Sequence, residues 1–184
     1  MSRPRSDTRE RIQDVARALF KQQGVQRTSL QDIADKLGIT KPALYYHFTS
    51  REDLVRSIVQ PLIDEGERFI ANHESSRDAT PRELLEGYFD FHFEHRGDLV
   101  LVVTELTTLA DLGLIDQLLA WRDRLAKLTF GSHPTLEQST RAVLAFGGLQ
   151  DCCLQFPDTP YHELRRAVVD GALAALGIGQ SSPG

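Results

Sequence analysis

Hydrophobic residues recur at helical spacing along most of the chain, and the clearest pattern lies in residues 28–38. Apolar side chains occupy positions i, i+3, i+4 and i+7, namely Leu30, Ile33, Ala34 and Leu37. Thr28 and Ser29 precede this stripe as good N-caps, and Gln31 and Asp32 stand three residues beyond them, where a capping-box partner belongs. Gly38 follows the stripe, where a helix often ends in a left-handed residue. The pattern predicts a short helix followed by a tight turn.

A second short helix is predicted directly after this turn. Ile39 and Leu44 stand at the N′ and N4 positions of a hydrophobic staple around an N-cap at Thr40. Pro42 is compatible with the first turn, where backbone N–H groups have no partner within the helix. Leu44 and Phe48, four residues apart, are expected to turn inward. The outward face then carries Lys41, Tyr45, Tyr46 and His47.

Two short helices joined by a glycine turn are typical of a helix-turn-helix, in which the second helix enters the major groove of DNA. Lys41 is placed to reach a base edge or a phosphate, and Tyr45 and His47 can donate to phosphate oxygens. The alternative is that one of the two tyrosines packs on the preceding helix with its hydroxyl in water. The combined pattern favours a DNA-facing helix.

The pattern elsewhere is also helical, with almost no strand signal. A first helix is predicted over about residues 8–23, before Gly24, and a fourth begins at Ser50, where Asp53 completes a capping box. Pro61 lies inside the fourth helix and must remove one backbone hydrogen bond, so that the helix is kinked or ends there.

Later segments are separated by polar residues, glycine and proline. Asn72 to Ala79 is polar and predicts a loop, and Thr80 with Glu83 predicts the capping box of the next helix. The valine-rich run Leu99 to Thr104 is predicted as helix, because apolar residues continue to Leu109 without a turn signal.

Two long helices, at about residues 135–155 and 160–176, complete a set of about nine. The chain is therefore predicted to be all-α. Its expected parts are a three-helix DNA-binding domain over 1–49, a helical bundle over 50–179 and a flexible tail over 180–184.

Charge is divided unevenly along the chain. Residues 1–60 carry 11 Lys and Arg against 7 Asp and Glu, whereas the rest carries 10 against 19. The positive charge therefore coincides with the predicted helix-turn-helix, as DNA binding requires. Four arginines, Arg3, Arg5, Arg9 and Arg11, are available as a flexible arm. Arg3 and Arg5 either belong to a solvated end of the chain or contact phosphates or a minor groove of DNA.

The first 55 or so residues resemble the DNA-binding domain of the TetR family of bacterial transcriptional regulators. The resemblance is long and ungapped, and it is carried by Ile12, Ala16, Leu19, Phe20, Gly24, Thr28-Ser29, Ile33-Ala34, Leu37-Gly38, Leu44-Tyr45, His47-Phe48, Arg51-Glu52 and Leu54. It implies that the DNA-binding residues are Arg27, Thr28, Ser29, Thr40, Lys41, Pro42, Ala43, Tyr45, Tyr46, His47 and Arg51. Among these, Arg51 is expected to contact phosphate, and Ala43 can make only an apolar base contact.

The resemblance further implies that the later helices bind a small effector and dimerise through the last two long helices. Small residues in these helices, Gly147, Gly148, Ala167, Gly171, Ala172 and Ala175, would allow close helix packing, within one subunit or between two. Two motifs related by a two-fold axis would read a pseudo-palindromic operator.

A hydrophobic or amphipathic effector is expected, because a pocket in such a bundle is apolar with few polar anchors. The candidate contacts are Phe89, His92, Thr104, Trp121, Phe146 and Gln150. A purely structural role is the alternative for the aromatic residues and for His92. The adjacent Cys152 and Cys153 are interpreted as small core residues, with a thiol sensor as the alternative, and their proximity in sequence excludes an ordinary disulfide.

Catalysis and a cofactor are not expected, because the sequence has no P-loop, Cys-x-x-Cys, serine-elbow or His-Glu-x-x-His motif. His92 and His95, three apart, leave a metal-responsive regulator as an alternative. The polar N-terminus and the lack of a long apolar run predict a cytoplasmic protein without a membrane partner. The predicted function is a homodimeric, ligand-responsive repressor of transcription that binds double-stranded operator DNA. An effector-independent repressor or architectural factor is the other alternative.

Overall fold

A computed structural model of the protein describes residues 5–76, 79–104, 106–111 and 113–178, without the side chains of residues 5, 6, 102–104 and 106. Within these ranges the regular secondary structure is entirely helical, which confirms the all-α fold class. The helices are α1 (Arg5–Gln23), α2 (Leu30–Leu37), α3 (Lys41–Tyr45), α4 (Arg51–Ser75), α5 (Pro81–Glu94), α6 (Arg96–Thr104), α7 (Leu106–Asp111), α8 (Ile115–Phe130), α9 (Leu136–Gln155) and α10 (Tyr161–Leu176).

The described ranges contain ten helices where the sequence predicts about nine. The difference arises in the segment around Leu99–Leu109, which is helical as predicted but is described as α6 and α7. Glu105, between them, lies outside the described residues. The predicted tail over 180–184 also lies outside them.

One compact unit consists of Met1–Leu62 and Asp98–Ile115. Its core is apolar and includes the fully buried Ile12, Ala16, Ile33, Ala34, Leu44, Phe48 and Leu54. Two side-chain contacts join distant parts of the sequence inside this unit. Arg17 Nε donates to Asp98 Oδ1 at 2.7 Å, and Gln26 Nε2 donates to Thr108 Oγ1 at 3.1 Å. They connect α1 and the α1–α2 loop to α6 and α7.

The second compact unit consists of Ile63–Gly97 and Asp116–Gly184. Here α10 packs on both α9 and α5, and α5 also packs on α9. Polar contacts at the edge of this core fix α10 to α5. Tyr161 Oη donates to Asp90 Oδ1 at 2.6 Å, and Arg165 Nε donates to the same oxygen at 2.9 Å. The domain boundary expected at residue 50 remains a prediction.

Pro61 does not end its helix, because α4 continues to Ser75. The loop predicted from Asn72 is therefore too long by four residues at its start, since Asn72–Ser75 is helical. The proline leaves the carbonyl of Ser57 without its i+4 donor. Gln13 Nε2 from α1 donates to that carbonyl at 3.2 Å and to Ser57 Oγ at 2.9 Å, so the lost helical bond is replaced.

No helix within the described ranges is both long enough and apolar enough to cross a membrane.

Candidate nucleic-acid interface

The predicted capping box fixes the start of α2. Asp32 N donates to Ser29 Oγ at 3.1 Å, and Ser29 N donates to Asp32 Oδ2 at 2.8 Å. Hydrogen bonds from the backbone and side chain of Ser29 lower the pKa of Asp32. Gly38 ends the helix with φ of 67°, which a residue with a Cβ rarely adopts. These contacts confirm the helix and turn predicted from the sequence.

The third helix presents its polar face to solvent. Thr40 Oγ1 accepts from Ala43 N at 3.3 Å, and Leu44 and Phe48 are fully buried below the helix. On the outer face, Tyr45 is 44% exposed and Tyr46 is 65% exposed. Lys41, Pro42 and Ala43 are also exposed, whereas His47 is half-buried.

Lys41 and the aromatic residues of this face are close to one another. Lys41 Nζ lies 5.8 Å from the ring centroid of Tyr45, and the rings of Tyr46 and His47 meet edge to face at 5.3 Å. The ammonium is attracted to the face of the tyrosine ring. This arrangement offers a cation and several hydrogen-bond donors on one exposed helix surface.

The residues predicted ahead of α2 are divided between surface and core. Arg27 and Ser29 are exposed, but Thr28 is fully buried. Thr28 Oγ1 donates to Gly24 O at 2.8 Å and accepts from Gln23 Nε2 at 3.2 Å. The hydroxyl of Thr28 therefore braces the α1–α2 loop, and a side-chain contact to DNA would require this loop to rearrange.

Arg51 supports the same loop from the start of α4. Its Nη1 donates to Gln26 O at 3.0 Å, and its Nη2 donates to Gln26 Oε1 at 3.1 Å. The guanidinium is therefore committed to backbone and side-chain oxygens in the free protein. Its contact to phosphate remains a prediction, and the bracing contact was not foreseen because it joins residues 25 positions apart.

The predicted flexible arm is wrong for Arg5, Arg9 and Arg11, which lie in α1. Their segment is helical because Ile12, Ala16 and Phe20 continue an apolar stripe that packs in the core. Arg3 and the side chain of Arg5 lie outside the described residues.

Three of the predicted effector contacts lie in one aromatic network of the second unit. The ring of His92 lies 4.1 Å from that of Tyr88 and 5.0 Å from that of Phe91. Phe146 meets Tyr88 edge to face at 5.2 Å, and Trp121 meets Phe91 at 6.5 Å. His92, Phe146 and Trp121 are all more than 90% buried.

The other predicted contacts lie elsewhere. Phe89 is fully buried and packs on Phe93 and Tyr161, with ring centroids 5.6 and 5.9 Å apart. Gln150 is half-buried, and the side chain of Thr104 lies outside the described residues. A cleft of about 10 Å³ opens beside this interior, lined by Tyr88, Arg122, Ala142, Val143, Phe146, Gly147 and Gln150.

Burial keeps His92 neutral. It lowers the pKa of the imidazole to about 4, against the opposing effect of the Tyr88 carbonyl, which is 2.9 Å from Nδ1. His95 Nε2 lies 3.1 Å from Glu65 Oε1 but has no hydrogen-bond partner. Within the described part of the chain, no three His, Cys, Asp or Glu side chains are grouped to hold a metal ion.

An apolar groove runs between α9 and α10. It has a volume of about 350 Å³ and is lined by Leu144, Ala145, Gly148, Leu149, Cys152, Phe156, Leu164, Ala167, Val168, Gly171, Ala172 and Ala175. Leu144 is 69% exposed and Phe156 is 49% exposed beside it. Cys153 is fully buried, and burial raises the pKa of its thiol to about 12.

Residues 12–58 match the model of the bacterial regulatory proteins of the tetR family. The chain is 32% identical over 108 residues to the HTH-type transcriptional repressor KstR2 of Mycobacterium tuberculosis, covering 55% of this chain and 52% of that protein. It is 33% identical over 88 residues to the regulator TtgR of Pseudomonas putida, covering 46% and 42%. The matched region thus spans about half the length of these curated relatives.

Solved structures share the fold over nearly the whole chain. AmtR of Mycobacterium smegmatis superposes with a TM-score of 0.77 at 21% identity, covering 97% of this chain and 90% of AmtR. KstR2 of Mycobacterium tuberculosis superposes with a TM-score of 0.71 at 23% identity, covering 92% and 93%. The family match lies on the helix-turn-helix described above. Residues 12–58, which contain this helix-turn-helix, are therefore identified as the DNA-binding region described for the bacterial regulatory proteins of the tetR family.

Proposed function

We propose that this protein is a homodimeric, ligand-responsive regulator of transcription that binds a pseudo-palindromic operator, and that it acts as a repressor. The observation that carries the proposal is the exposed face of α3, where Lys41, Tyr45 and Tyr46 project from a helix capped at Thr40. Arg27, Ser29, Thr40, Pro42, Ala43, His47 and Arg51 complete the proposed DNA-binding set, with Thr28 contributing through its loop. The family match supports this assignment.

The groove between α9 and α10 is the proposed dimer interface. Exposed Leu144 and Phe156 flank a surface of small residues on which a second copy can pack closely. A contiguous apolar surface of this kind is unusual on a monomer. A two-fold axis through it would hold two copies of α3 at a fixed separation, which must match the spacing of operator half-sites.

A hydrophobic or amphipathic effector is proposed to bind in the second unit, around His92, Trp121 and Phe146. The apolar aromatic lining supports this choice, and the matched structure of KstR2 is named a ketosteroid transcriptional regulator. The cleft at Tyr88 and Gln150 has a volume of only about 10 Å³, so an effector would have to open it. That close packing is the observation favouring the second candidate function, an effector-independent repressor.

Two contacts inside the first unit offer a route for a signal that reaches α6 and α7. The Arg17–Asp98 pair joins α6 to α1, and the Gln26–Thr108 bond joins α7 to the loop before α2. A shift of α6 or α7 would therefore move α1 and the loop before α2. A shift of α4, the helix that contains Pro61, would likewise change the position of the helix-turn-helix that precedes it. The required coupling free energy is modest, on the order of 1–3 kcal/mol.

Selection from a random double-stranded DNA library tests the proposed function without knowledge of the operator. The purified protein should enrich an inverted repeat whose half-sites lie about one helical turn, or a similar fixed distance, apart. Tyr45→Ala protein that remains folded and dimeric should lose that enrichment. No enrichment by the wild-type protein, or equal enrichment by Tyr45→Ala, would exclude α3 as a recognition helix.

A further inference from the structure

Arg9 makes two contacts at the C-terminal end of α3. Its Nη1 donates to the carbonyl of His47 at 2.9 Å, and its Cζ lies 4.2 Å from the ring centroid of Phe48. Phe48 is fully buried, whereas Arg9 is exposed on α1. The arginine therefore covers the buried ring and holds the last carbonyl of the same segment.

The short length of α3 makes this contact consequential. The helix covers only Lys41–Tyr45, and the carbonyls of Pro42 and Leu44 accept from the backbone amides of the residues that follow it. The carbonyl of His47, just beyond the helix, accepts instead from Arg9. Thr40 caps the N-terminal end, but the helix has no equivalent side-chain cap of its own at the other end. A cation placed there also interacts favourably with the helix dipole.

An arginine can make both contacts at once because its planar guanidinium stacks on a ring while its edge donates hydrogen bonds. A lysine carries the same charge but has no planar group for this combination. The charge-conserving substitution therefore separates the geometry of the contact from its electrostatics.

We propose that Arg9 is a positioning residue, which fixes the C-terminal end of α3 and so orients Tyr45, Tyr46 and His47 for DNA recognition. The role in recognition rests on the proposed function, whereas the effect on α3 belongs to the free protein. The competing role for Arg9 is a direct contact to phosphate.

The first test measures amide hydrogen exchange in the free protein. The amides of His47 and Phe48 donate to the Leu44 carbonyl at 2.9 and 3.0 Å, so they report the seating of this segment. Both Arg9→Lys and Arg9→Gln should exchange several-fold faster there, with the amides of α9 unchanged. Arg11→Gln, which removes a charge two positions along the same helix, is the control and should match the wild type. Unchanged exchange in both Arg9 variants would overturn the proposal.

The second test measures operator affinity at several salt concentrations. Arg9→Lys should weaken binding roughly tenfold with an unchanged salt slope, because the charge is kept while the combined contact to the Phe48 ring and the His47 carbonyl is lost. Full affinity in Arg9→Lys, with weakened binding and a flatter salt slope in Arg9→Gln, would identify a phosphate contact instead. Absence of specific binding by the wild type would reject the proposed function, and the exchange measurement would still decide whether Arg9 positions α3.

Discussion

On the surface of α3, each residue faces either the core or solvent, with little in between. Leu44 and Phe48 are fully buried, whereas Tyr46 is 65% exposed although it follows Tyr45 directly. Two adjacent, exposed tyrosines forgo the stabilisation that burial of their rings would give. A contact between these rings and DNA would explain why they are exposed. Lys41 lies near the ring of Tyr45 and is the side chain that we propose reads a base edge.

Replacing Lys41 with alanine should weaken binding to the operator by roughly 1–3 kcal/mol and should relax specificity at one base position. The reason is that a base contact strengthens binding to the operator but not to DNA in which that base is changed. Competition titrations with operators altered at each position would measure both effects. Lys21→Ala, which removes an exposed charge at the end of α1, is the matched control and should retain full specificity. Equal specificity in both variants would contradict the assignment of Lys41.

Replacing Arg51 should affect DNA binding differently from replacing Lys41. Because its guanidinium already braces Gln26, Arg51→Gln should destabilise the α1–α2 loop and weaken binding to all sequences alike. If Arg51 also contacts a phosphate, the slope of log affinity against log salt should flatten by about one ion. Titrations at several salt concentrations measure that slope. A change of sequence preference in this variant would contradict both roles.

His92 makes the stability of the fold depend on pH. Its pKa is about 4 in the folded protein and near 6.5 in an unfolded chain. Between those values the unfolded chain binds a proton that the folded protein does not, so the free energy of unfolding rises with pH by about 1.4 kcal/mol per unit. The stabilisation is complete above pH 6.5 and is lost as the pH falls toward 4.

Urea unfolding of the wild type and of His92→Gln between pH 4 and 7 measures this contribution. The free energy of unfolding should rise less steeply with pH in His92→Gln than in the wild type. The difference between the two slopes is the contribution of His92, because the other titrating groups are common to both proteins. Equal slopes in the wild type and in His92→Gln would show that His92 is not a buried neutral imidazole.

Among the elements, α4 combines a proline with a compensating contact from α1. Gln13 donates to the Ser57 carbonyl that Pro61 leaves without a helical donor. Gln13→Met should therefore destabilise the protein by about 1–2 kcal/mol. In a Pro61→Ala background, the new N–H can serve the same carbonyl, and the loss should be smaller by about 0.5–1 kcal/mol. A double-mutant cycle by urea unfolding measures this, and identical losses in both backgrounds would contradict the proposed compensation.

Most of the helices could be predicted because their start and stop signals are local. The capping box of α5 joins Thr80 to Glu83, and that of α2 joins Ser29 to Asp32, so each acts over a few residues. The structure confirms both boxes and the end of α2 at Gly38. The contacts of Arg9, Gln13 and Arg51 could not be predicted in this way. They join residues 38, 44 and 25 positions apart, and no periodicity in the sequence encodes which carbonyl such a side chain will reach.

For the whole molecule, the proposed dimer would set the geometry of DNA recognition. Leu144→Glu places a charge on the exposed edge of the α9–α10 groove and should convert the proposed dimer to monomer, because an unpaired charge is costly in an apolar interface. Sedimentation velocity measures the change. Leu119→Glu, at another exposed leucine outside this groove, is the control and should remain dimeric. A dimer that persists in Leu144→Glu would show that the interface lies elsewhere.

The central claim is that one face of α3 reads DNA within a dimer. Fluorescence anisotropy of the wild type and of Lys41→Ala, with operator DNA and with scrambled DNA at two salt concentrations, tests this claim most directly. The wild type should bind the operator more tightly than scrambled DNA at both salt concentrations, with weaker binding at the higher one, and Lys41→Ala should lose most of that preference. Equal affinity of the wild type for both DNAs, or an undiminished preference in Lys41→Ala, would contradict the account.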